Sequence, residues 1–154
     1  MLKPELSDAL DTFIARPQRR LFCDGLIGGL QIQEYWHADV PPSGSEQLLS
    51  FYHASPAAFG SVSAFASAVF LFRNEDDIPA LAREAIDVQD QLTPIEVNAF
   101  AREWQYHAAK VRDAPIVPAD RLANAWSIVD DWNDKLFVAA SSSGFFALSW
   151  STSA

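Results

Sequence analysis

The 154-residue chain has a single cysteine, Cys23, so no disulfide can form within it, and no Cys/His grouping has the spacing of a zinc site. The fold must stand on packing, and a reducing cytoplasm is the expected compartment. Histidine is nearly as scarce, with only His37, His53 and His107 to serve acid–base or metal chemistry. Positive charge is short as well: 11 Lys and Arg against 20 Asp and Glu leave a formal charge of −9. Such a chain repels phosphate backbones and gains no counterion release from them, which argues against DNA or RNA as a partner. The N-terminal MLKPELSDALDTFIARPQRR lacks the positive segment, apolar run and small-residue cleavage site of a secretory signal. Repeats and long linkers are missing too, so residues 1–154 read as one domain.

What is present is ordinary globular material, 49% hydrophobic and 20% charged. A chain of this size can bury roughly 70% of the surface it exposes when unfolded. The uncharged run 54–72 approaches membrane-spanning length, but its proline, glycine and four serines make it too weakly apolar for lipid. It reads as a buried central helix, with Phe59, Val62 and Phe70 in the core, and no membrane contact is expected.

Proline supplies the punctuation, because it is tolerated in the first helical turn where its missing N–H costs no bond. Thr93-Pro94 followed by Glu96 has the form of a capping box, and Val97, Phe100, Ala101, Trp104, Ala108 and Val111 then repeat as one apolar stripe. Ser55-Pro56, Asp77-Ile78-Pro79 and Pro4 predict three more helices, and Pro118 opens a fifth through ADRLANAW, with SIVDDW readable as helix or strand. Extended structure shows in GGLQIQEYW, where Glu34 interrupts an alternating apolar face, and in KLFVAA and FFALSW around SSSG. GLIGG at 25–29 fits no phosphate-binding fingerprint and reads as a turn or bulge. The expected class is α+β: a mostly helical single domain with a small antiparallel sheet that includes a C-terminal β-hairpin. That hairpin must join another strand or lie on a helix, because two strands alone are marginal in water.

No reaction is identified. Glu34 and His37 are three apart and Glu103 and His107 four apart, which does not make the paired Glu-x-x-His ligands of a di-iron site. Glu103 and His107 read instead as a helix-surface pair, and no metal or cofactor is expected. GSVSAF lacks the second glycine of a nucleophile elbow. Cys23 is either a small core residue or a nucleophile awaiting a histidine.

The acidic residues are patchy. Seven acids face one arginine between Asn74 and Glu96, five more face Arg121 alone between Asp113 and Asp134, and no Lys or Arg occurs from Leu21 to Phe72. In WSIVDDWND the aromatic Trp126 and Trp132 interleave with Asp130, Asp131 and Asp134, a pairing suited to lysine- or arginine-bearing surfaces. Glu75, Asp76 and Asp77 form a second acidic patch. WSIVDDWND and KLFVAASSSGFFALSWSTSA together resemble the C-terminal ends of some small bacterial toxin-immunity proteins, over roughly the last fifth of the chain. The resemblance implies a non-enzymatic binder that captures a basic toxin domain and occludes its active site. Two other classes stand beside it: a small hydrolase or transferase using Cys23 or a His/carboxylate site, and a self-assembling scaffold whose terminal strand pairs with another copy.

Overall fold

The computed structural model describes residues 22–27, 29–36, 47–74, 86–111 and 113–152. Seven strands form one sheet: β1 (Phe22–Ile27), β2 (Leu30–Trp36), β3 (Gln47–Ala54), β4 (Thr93–Ile95), β5 (Leu122–Asp131), β6 (Asp134–Ser141) and β7 (Gly144–Thr152). Their order is β1-β2-β3-β7-β6-β5-β4, with every neighbouring pair antiparallel. Two α-helices are found among the described residues, α1 (Val62–Arg73) and α2 (Val97–Ala108). The mostly helical expectation is thus overturned: the sheet is the frame, and the helices are its covering.

Proline accounts for much of the difference. Pro94 does not open a helix; it lies in β4, opposite Trp126, on a sheet edge where a missing N–H leaves no ladder bond unmade. The predicted capping box is absent, and α2 starts after Glu96, whose side chain caps nothing. Ser55-Pro56 forms a turn closed by a 3.1 Å bond from the Ala58 N–H to the Ser55 carbonyl. The helix beyond it is capped instead by Ser61, whose Oγ accepts from the Ala64 N–H at 3.2 Å. After Pro118 comes only a 3₁₀ turn, Ala119–Arg121, and then strand β5. Register shifts between Leu122 and Asn124 and between Ser127 and Val129 break the two-residue alternation of β5, so its sequence does not read as a strand. The Pro4 helix and the start of the Pro79 helix fall outside the described residues, and the end of the latter is the 3₁₀ turn Gln89–Gln91.

The C-terminal hairpin is where the sequence placed it, but it does more than cover an edge. β6 and β7 are central strands, and β7 pairs with both β3 and β6. Leu136, Val138 and Ala147 face the α1 side, while Phe137, Ala139, Phe146 and Leu148 face the α2 side. Burial on both sides explains the continuous apolar runs: each strand feeds two cores. Gly144 is fixed by proximity, since a Cβ there would sit 2.5 Å from the Ala54 carbonyl oxygen on the neighbouring strand.

The first core lies under α1, where Phe65, Val69 and Phe72 meet Leu30, Ile32 and Tyr52 of the sheet. Fully burying a side chain of this kind contributes about 1.5–3 kcal/mol. Ser67, 1% exposed, is satisfied twice: its hydroxyl donates to the Ser63 carbonyl at 2.7 Å and accepts from the Val88 N–H at 3.1 Å. Glu34 is buried on this side too, in a cross-strand row with Ser50 and Ser149. The second core lies under α2, built around Trp104, which packs on Phe51 at 4.8 Å between ring centres and donates from its indole to the Pro115 carbonyl at 2.9 Å. No helix among the described residues is long and apolar enough to cross a membrane.

Candidate functional site

The spacing of Phe100, Trp104 and His107 along α2 drives those three side chains into the sheet. On the next row of the helix Arg102 and Tyr106 are exposed, and Lys110 follows in the turn after Ala108. Opposite this row stands the turn between β5 and β6, where Asp131 and Asp134 face each other across Trp132 and Asn133. A 3.0 Å bond from the Thr152 N–H to the Asn133 carbonyl ties this turn to β7. Between helix and turn opens a cleft of about 570 Å³ with Phe137, Trp150 and His107 along its floor. Two large rings project from its walls, Trp132 at 72% and Tyr106 at 62% exposure.

His107 is the most constrained group there. It is 2% exposed, its Nε2 lies 3.5 Å from Glu103, and its ring rests 5.4 Å from that of Trp150. Its Nδ1 is buried without a hydrogen-bond partner. Burial, reinforced by the positive charges of Lys110 and Lys135, lowers its pKa from 6.5 to about 4, so the imidazole is neutral at physiological pH. The expected helix-surface pair is therefore half core: His107 continues the apolar stripe three residues after Trp104. The lysines are also engaged. Lys110 lies 4.1 Å above the Tyr106 ring, and Lys135 donates to Asp130 at 2.8 Å while sitting 5.5 Å above Phe137.

The segment WSIVDDWND is divided by the fold. Trp132 and Asp130 line the cleft, and Asp131 is exposed beside them. Trp126 is half-buried on the α1 side of the sheet, and Asp134 pairs with Arg73 at the end of α1. Glu75, Asp76 and Asp77 lie outside the described residues, as do His37 and the side chain of Cys23. No protein-family model, curated protein or solved structure matches the chain.

Among the described residues no group of three or more His, Cys, Asp or Glu is placed to hold a metal. His53 borders a smaller hollow of about 220 Å³ on the α2 side, stacked on Phe146 at 4.9 Å, and burial lowers its pKa. Sequence reasoning missed Tyr106, Arg102, Lys110 and Lys135 as parts of one cleft. Only Tyr106 left a trace, as a large aromatic ring within the polar stripe of an amphipathic helix. The others are brought together by the crossing of α2 over β6, which no local pattern encodes.

Proposed function

We propose that the chain is a non-catalytic binding module that captures a basic protein through the Trp132 side of the cleft, in the manner of an immunity protein blocking a cognate toxin domain. The exposure of Trp132, flanked by exposed Asp130 and Asp131, carries this reading. A large ring in water at the lip of a concave surface is the usual form of a binding anchor, and adjacent carboxylates suit a cationic rim. The overall charge of −9 would steer such a partner toward the chain.

The enzyme alternative named Cys23 or a histidine with a carboxylate: His107 and Glu103 line the same cleft, and the side chain of Cys23 lies outside the described residues. A base with a pKa of about 4 is a weak proton acceptor at neutral pH, and among the described residues no Ser, Thr or Cys lines the cleft. Binding by occlusion therefore fits the groups better than catalysis does. The test is capture from the native host with wild-type and Trp132→Ala chains side by side. A basic protein held by the wild type in a salt-sensitive 1:1 complex and lost from the variant is expected. Equal retention by both chains, or retention of no protein, rejects the reading.

A further inference from the structure

The charge inside the cleft is opposite in sign to the charge of the chain. Arg102, Lys110 and Lys135 stand against Glu103 and Asp130, whereas the whole chain carries −9. Asp130 is paired with Lys135 at 2.8 Å, and Glu103 lies 3.5 Å from the neutral His107. Two of the ring faces that would attract a cation are covered by the chain's own lysines, Lys110 over Tyr106 and Lys135 over Phe137. A cation entering the cleft would meet occupied rings and two ammonium groups. A carboxylate would meet a net excess of one positive charge, sharing Lys135 with Asp130.

We infer that the cleft floor is a subsite for a carboxylate side chain, an aspartate or glutamate that the partner inserts beside Trp132, Lys110 and Lys135. The inference rests on the binding reading above and refines it: the partner is basic overall but presents one acidic residue at the centre of its contact surface. His107 supports this from beneath. Its buried Nδ1 has no partner in the free chain, and an anion alongside favours the second proton on the ring. The second proton, taken from solvent, would let Nε2 donate to Glu103, 3.5 Å away. The other charges facing the ring, Lys110 in the turn after α2 and Lys135 on β6, oppose protonation in the free chain.

The probes are three peptides capped at both ends, Phe-Glu-Phe, Phe-Gln-Phe and Phe-Lys-Phe, titrated into the full chain and followed by tryptophan fluorescence and by the His107 imidazole signals in NMR. The glutamate peptide is expected to bind about tenfold or more tighter than the other two and to move the His107 signals toward the protonated form. Lys135→Ala and Lys110→Ala should each weaken it several-fold, while Lys135→Arg should retain binding. Equal or tighter binding of the lysine peptide, signal changes remote from Trp132 and His107, or no binding of any peptide at millimolar concentration overturns the inference. These outcomes are separable from failure of the binding reading, which is judged by whether Trp132→Ala releases the intact partner.

Discussion

The two faces of the sheet are covered by helices of equal length and opposite character. Seven of the twelve residues of α1 are buried, including adjacent ones, because small and apolar residues surround it and Arg73 is its one charged residue. Only four of the twelve in α2 are buried, and its remaining faces carry Arg102, Glu103 and Tyr106. A helix without a polar side must be enclosed, whereas an amphipathic one can lie on a sheet and leave a trough along its flank. One face is therefore given over to stability, and the other keeps an opening lined by rings and charges. On the second face, groups of α2 stay uncovered beside the β5–β6 turn.

The contrast is open to direct attack. The largest effect is expected on the closed face: Phe65→Ala, at 0% exposure under α1, should cost about 3–5 kcal/mol by chemical denaturation. A loss below about 1 kcal/mol would mean that this face is not tightly packed.

Next in size is the acid sensitivity of His107. Its folded-state pKa of about 4 lies below the ordinary 6.5, so the unfolded chain takes up the proton first as pH falls. The stability contributed by the neutral ring is complete above pH 6.5 and is lost on descending to about pH 4, about 3 kcal/mol in all. Denaturation midpoints across that window, compared with those of His107→Gln, isolate the contribution; parallel pH profiles would place the imidazole in water.

Ser67→Ala should cost about 1–3 kcal/mol, because it leaves the Val88 N–H buried without an acceptor. Amide exchange at Val88 reports this locally and should accelerate. The smallest effect belongs to the open face: Trp132→Ala should change stability by no more than about 0.5 kcal/mol, since its ring is in water. A loss comparable with that of Phe65→Ala would make the ring a structural element and erase the distinction between the faces.

Both the legible and the illegible parts of this fold have physical reasons. The stripe of α2 and the two strands of the C-terminal hairpin were readable because a helix face and a strand of continuous apolar residues each leave a local signature. β5 was not, because its two bulges disrupt the alternation on which strand recognition depends. β4 was masked by Pro94, which signals a helix start in an isolated sequence and an edge strand only when a neighbour pairs with it. Of the candidate site, Asp130, Asp131 and Trp132 could be named in advance from their density of charge and indole. Trp126 and Asp134 belong to the same segment, yet the sheet turns them to its other side.

The sequence by itself determined that packing without disulfides must hold the chain, that α2 would have a wet side, and that the C-terminus would form two apolar strands around a turn. Tertiary structure alone decided that those last strands lie at the centre of the sheet, and that residues from α2, the β5–β6 turn and β7 surround one cleft. The reason is range. Periodicity and charge density are properties of neighbours along the chain, while strand order and the placing of Tyr106 and Trp132 on one cleft depend on loop closures between distant segments, fixed only when both cores are filled together.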